Sequence, residues 1–135
     1  MASPALELQA AIVAALKGDP TLGGLVNGVY DRVPENPWGA AKGYISLGPE
    51  DTLSEEAGCV GLDNVSVQID VWSRRVGRVH CKKILHEVRR VIRGLATDEN
   101  PIVSRSDPFQ QVARDPDGLT THGFLRYEFE MEAHG

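Results

Sequence analysis

The one constellation of charged or reactive residues that stands out from the sequence lies between Ser73 and Gly94. Arg74, Arg75, Arg78, Lys82, Lys83, Arg89, Arg90 and Arg93 stand there against one acid, Glu87, so this segment holds more than half of the chain's 14 lysines and arginines. At about 100° per residue, Arg75, Arg78, Lys82, His86, Arg89 and Arg93 fall on one side of a helix, opposite an arc of Cys81, Ile84, Leu85, Val88, Val91, Ile92 and Leu95. A positive stripe of this kind is a solvated face, a dock for an acidic protein surface, or a contact to nucleic acid phosphates. The chain also has an acidic counterpart. Between Pro49 and Asn64 it carries Glu50, Asp51, Glu55, Glu56 and Asp63 with no basic residue. The segment reads as an irregular loop, too polar and too long for a tight hairpin. With few apolar anchors of its own, it is expected to be mobile in the free subunit and to order at a contact.

Residues able to do catalysis do not assemble into a motif. The sequence has no nucleophile elbow, no HExxH helix, no zinc-deaminase signature and no calcium loop. His80 and His86 are six apart and point to different faces of a helix, so they do not share a metal. Cys81 falls on the apolar arc and reads as an inert core thiol, not as a nucleophile for His122. Asp31 and Asp70 read as strand-borne acids paired with surface cations, and Trp38 and Trp72 as core or loop anchors. The glycines near Gly23 and Gly28 lack both the spacing and the lysine of a phosphate loop. Cys59 and Cys81 have neither metal-ligand nor CxxC spacing and read as reduced thiols. The expectation is a protein without enzymatic activity, cofactor or metal.

These residues need elements to position them. Ser3 and Pro4 open a first helix that runs to Lys17 and stops at Gly18, with Leu6, Leu8, Ile12, Val13 and Leu16 as its apolar positions. A connector follows. Val29–Val33 and Tyr44–Leu47 read as strands separated by a loop containing Trp38. From Val65, Val67, Ile69 and Val71 alternate with Ser66, Gln68, Asp70 and Trp72, the period of a strand with one buried face. Ser73 is placed to cap the basic helix, which ends near Arg93. Phe109–Arg114 and Thr121–Glu132 flank Asp115-Pro116-Asp117-Gly118, a turn in which proline presets φ and glycine accepts a positive one. In the last strand Leu125, Tyr127, Phe129 and Met131 face inward, and the alternate face is solvated or meets a partner. The order α-β-β-β-α-β-β predicts an α+β fold: an antiparallel sheet of about five strands with two main helices on one face.

The chain of 135 residues, 41% apolar and 24% charged, fits one domain spanning 1–135, with the acidic loop at 50–63. No apolar run is long enough for a membrane helix, so no membrane partner is expected. A net charge of −5 argues weakly against free nucleic acid binding.

The succession Leu25-Val26-Asn27-Gly28-Val29-Tyr30-Asp31-Arg32-Val33-Pro34, then Tyr44-Ile45-Ser46-Leu47-Gly48, then Val67-Gln68-Ile69-Asp70-Val71-Trp72-Ser73 and a closing hairpin with Asp117-Gly118 and His122-Gly123 resembles a known family. It is similar, over nearly the whole chain, to the small tail-completion or tail-terminator proteins of long-tailed phages and gene transfer agents. Where that family often has proline before the strand at Tyr44, this chain has Gly43. The resemblance implies a virion protein at the head-proximal end of the tail, assembled in the bacterial cytoplasm. It implies a homohexameric ring that caps the tail tube, stops its polymerisation and meets a head-completion or connector protein, with DNA only in transit through the lumen. The candidate assembly interface then consists of Arg75, Arg78, Lys82, Arg89 and Arg93 with Glu50, Asp51, Glu55, Glu56 and Asp63. A nucleic-acid-binding or regulatory module using the basic helix 75–93 is the alternative. A small enzyme built on His122, Asp70 and the basic face is a poorer one.

Overall fold

A computed structural model describes residues 2–57 and 60–133; Cys59 lies outside them. The first helix, α1 (Pro4–Gly18), starts where Ser3 accepts a 3.2 Å hydrogen bond from the Leu6 N–H, with Pro4 filling a position that needs no donor. It buries Leu8, Ile12 and Leu16, while Leu6 is exposed. The expected connector contains one helical turn, α2 (Pro20–Gly23), capped by Asp19, which accepts from Leu22 at 3.0 Å.

The strands are β1 (Val29–Tyr30), β2 (Gly43–Leu47), β3 (Asp51–Ala57), β4 (Val60–Ser73), β5 (Ile102–Arg105), β6 (Phe109–Arg114) and β7 (Thr121–Ala133). The sheet therefore has seven strands, not about five. Its order is β1-β2-β4-β7-β5, with β3 on the free edge of β4 and β6 on that of β7. All pairs are antiparallel except β1–β2. β4 and β7 form its spine, paired continuously from Gly61–Ala133 to Ser73–Thr121.

Two sequence expectations need correction. The acidic stretch is not an irregular loop: Asp51–Ala57 pairs in register with Val60–Ser66, because β4 is long enough to offer its edge to β2 at one end and to β3 at the other. Backbone pairing alone organises a strand that lacks apolar residues to bury. The basic helix, α3 (Val79–Arg93), does not start at Ser73, which is instead the last rung of β4. Ser73 is fully buried and its hydroxyl is used locally, accepting from the Arg75 N–H at 3.3 Å and bonding His80 Nδ1 at 2.7 Å. Residues 74–78 turn through Gly77, whose φ of 79° suits a residue without a side chain.

The core lies between the helices and one face of the sheet. Val65, Val67, Ile69 and Val71 of β4 and Leu125, Tyr127, Phe129 and Met131 of β7 point toward it, as their alternation requires. From the other side come Leu8, Ile12 and Leu16 of α1 and Cys81, Ile84, Leu85, Val88 and Ile92 of α3. Each such side chain contributes roughly 1.5–3 kcal/mol by leaving water. α3 packs closely because Gly123 leaves room: a Cβ there would come within 2.7 Å of Cys81 Sγ and 2.8 Å of Leu85 Cδ1.

Candidate assembly surfaces

The turn between β4 and α3 and the turn between β6 and β7 lie side by side at one end of the spine. Between them is a cleft of about 380 Å³ lined by Arg74, Arg75, Arg78 and Arg114, with Val76 and Leu119 on its walls. Val76 is fully exposed and Leu119 largely so. Arg74 lies over the Trp38 ring at 4.2 Å, and Arg75 donates to the Ala41 carbonyl at 3.0 Å. The Arg78 and Arg114 guanidiniums have no partner among the described residues. Arg74, Arg75 and Arg78 therefore belong to a loop and its junction with α3, not to a helical stripe. Sequence reasoning missed Arg114, because nothing in the sequence says that its turn meets this loop.

The rest of the stripe breaks into two groups. Lys82, Lys83 and His86 border a shallow groove of about 710 Å³ floored by Pro20, Leu25 and Val79. Arg89 and Arg93, with Arg105, surround Tyr127, whose phenol burial pushes up to about 12 despite those cations. Arg105 also donates to the Ile92 and Leu95 carbonyls, satisfying acceptors at the C-terminus of α3. Arg90 is spent on Asp19 and Glu87, both at 2.7 Å.

At the other end of the spine the cross-strand register gathers acids. On the face away from the helices, Asp51 is opposite Ser66, which is opposite Glu128. Leu53, Asn64 and Glu130 form the next row, and Glu55, Leu62 and Glu132 the third. Asp51, Glu55 and Glu128 are exposed and Glu130 is half-buried. None of these four is in an ion pair among the described residues. Leu53, 63% exposed, sits between Asp51 and Glu55. Glu50 precedes β3 and is exposed, and Glu56 occupies the rung opposite Gly61. Asp63 is on the helix side of the sheet, in the row of Ser54 and Met131, so it does not join the plate. The glutamates of β7 were legible only as an outward-facing alternation; their union with β3 depends on a register the sequence does not encode locally.

Between the two charged ends the open face carries a band of rings. Trp72 and His122 stack at 3.8 Å and 2°, with Tyr44 and Trp38 on one side and Phe124 and Phe109 on the other. His122 Nε2 and Asp70 are 2.7 Å apart, Asp70 also accepts from Gln68, and Trp72 donates to Ser46 at 3.0 Å. The structure thus joins His122 to Asp70, while Cys81 lies across the sheet beneath Gly123. No hydroxyl or thiol bonds the His122 ring among the described residues. Asp31 binds Gln9 at 3.2 Å. Burial pushes the Cys81 thiol up to about 11, which keeps it protonated and unreactive. Among the described residues no three His, Cys, Asp or Glu side chains converge as a metal set.

The sequence profile of the family described as tail completion protein gp17 matches residues 10–132. The chain belongs to that family. Among solved structures, it is similar to a chain of the "Virion of native gene transfer agent (GTA) particle", at 26% identity and a TM-score of 0.82. That likeness covers 95% of this chain and 96% of the other. No curated protein matches the sequence. Membership assigns this tail completion protein a structural role in a phage-type tail. No helix among the described residues is long and apolar enough to cross a membrane.

Proposed function

We propose that this tail completion protein caps the tail tube as a homohexameric ring at its head-proximal end, stops tube polymerisation and presents the joining surface to a head-completion or connector protein. The observation that carries this reading is the family match across 10–132, supported by the near full-length likeness to a virion chain. The protein acts without catalysis, by binding neighbouring copies, the tube protein and the connector. The interface is drawn from Arg75, Arg78, Lys82, Arg89 and Arg93 and from Glu50, Asp51, Glu55, Glu56 and Asp63. Cations and carboxylates on separate surfaces suit a heterologous contact, which closes into a ring when the rotation per subunit permits. DNA passes through the lumen without being held. Assembly takes place in the bacterial cytoplasm, and the protein leaves with the particle.

Electron microscopy of particles tests the proposal. Six copies of this chain are expected at the head-proximal end of the tail. Its presence in the baseplate, or absence from particles, overturns the reading.

A further inference from the structure

We infer that the acidic plate of one copy seats on the arginine cleft of the next, so that this chain is its own head-to-tail partner along a defined axis. The inference rests on the ring reading and specifies the contact that builds the ring. It starts from the spine. β4 and β7 run together for thirteen rungs, from Gly61–Ala133 to Ser73–Thr121, or about 40 Å at ~3.3 Å per residue. The cleft lies beyond the Ser73–Thr121 end. The plate covers the rows toward the Gly61–Ala133 end. The two charged patches are thus held apart within one chain by a rigid ladder. Salt screening over about 10 Å prevents them from neutralising each other.

The patches match in kind. Four guanidiniums line the cleft, and among the described residues Arg78 and Arg114 have no carboxylate of their own. Four carboxylates, those of Asp51, Glu55, Glu128 and Glu130, occupy the plate with no cation among the described residues to pair them. Each patch also has an apolar element: exposed Leu53 on the plate, exposed Val76 and Leu119 at the cleft. Phosphates would satisfy the arginines but give Val76 and Leu119 nothing to bury against. A carboxylate surface with a leucine at its centre satisfies both. Asp51, Leu53 and Glu55 stand on one face of β3 at spacings of about 6.6 Å, which lets a leucine enter between two carboxylates. Since plate and cleft are different surfaces, the contact is heterologous and repeats from copy to copy.

The test uses two full-length double variants, Arg78→Glu/Arg114→Glu and Asp51→Lys/Glu55→Lys, studied alone and mixed by native mass spectrometry and sedimentation. Each alone should self-associate at least ~10-fold more weakly than the unaltered chain, since its own contact juxtaposes like charges. Mixed, they should form species holding the two variants 1:1, because the intact plate of one meets the intact cleft of the other and the two reversed surfaces are also opposite in charge, and these species should weaken as salt rises. Absence of the 1:1 species overturns the inference, as does unaltered self-association of either variant alone. If the Arg78→Glu/Arg114→Glu variant instead loses duplex-DNA affinity while self-association persists, the cleft is a phosphate site. The milder Arg78→Gln/Arg114→Gln variant, with thermal melting of all variants, separates a lost contact from a lost fold. Failure of the ring reading shows in where the protein sits in particles, whereas failure of this inference shows in the mixing experiment.

Discussion

At the scale of single residues, two positions hold α3 where the surfaces need it. His80 is buried, with Nε2–H donating to the Leu25 carbonyl at 2.8 Å and Nδ1 accepting from the Ser73 hydroxyl at 2.7 Å, so one neutral ring ties α3 to the segment after α2 and to the last rung of β4. Gly43 gives it room, since a Cβ there would come within 2.7 Å of the ring. Burial lowers the pKa of His80, opposed by its bond to Leu25 and aided by Arg75 and Lys83. The unfolded chain therefore binds a proton that the folded chain refuses, and stability falls as pH drops through about 6.5 toward the lower folded value. Thermal melting between about pH 7.5 and pH 5 should show this loss, and His80→Gln should be less stable at pH 7.5 but flatter across the same range. An equal slope in both proteins would show that His80 does not carry the charge linkage. The lowered pKa values of Glu7, Asp19 and Asp117 act in a lower window, where carboxylates protonate. Gly123 gives a second expectation. Gly123→Ala pushes Cys81 and Leu85 away from β7 and should destabilise by about 1–3 kcal/mol in denaturant titration; a change within about 0.5 kcal/mol would show that α3 shifts freely.

At the scale of elements, legibility followed burial. The alternation Val65 to Val71 announced β4 and the turn at Asp115–Gly118 announced the last hairpin, because in each case local chemistry and tertiary context agree. α1 was equally plain from Ser3, Pro4 and Gly18. β3 was invisible because residues 51–55 are all exposed; a strand that only lends backbone to an edge has no apolar alternation. β5 was missed for a related reason, being four residues long with a register shift between Ile102 and Ser104. The start of α3 was misplaced because Ser73 is a good cap by type, and the hydroxyl was already committed to His80. Arg114 and the glutamates of β7 come beside the charged residues named from the sequence only through turn contacts and strand register. The β3 hairpin carries an expectation of its own. With the side chains of residues 51–55 exposed and one paired edge, β3 should exchange its amide hydrogens faster than β2 in the free subunit and slow down in assembled particles. Equal protection in both states would remove β3 from the contact.

At the scale of the whole molecule, the question is whether the cations along α3 and its preceding loop serve assembly or DNA. They do not form one continuous stripe: Arg78 lines the cleft, Lys82 borders the groove beside α2, and Arg89 lies by Tyr127. A duplex would need them to follow a phosphate backbone, whereas a neighbouring protein surface can meet three separated patches at once. Exposed ion pairs contribute only about 0.2–1 kcal/mol each and weaken with salt, so a single reversal among Arg78, Lys82 and Arg89 should leave assembly nearly intact. Reversing all three to Glu removes three attractions and adds three repulsions, and tails should then fail to complete. On the proposed ring, a cationic stripe along the lumen would retard DNA in transit by releasing its counterions, so these residues are expected at contacts with other proteins. The measurement is paired: tail completion scored by electron microscopy and duplex-DNA binding at two salt concentrations, for the triple variant and the unaltered protein. Incomplete tails with weak DNA binding in both proteins is the expected outcome. Normal tails, together with a salt-dependent DNA affinity that the triple variant loses, would reassign these residues to nucleic acid.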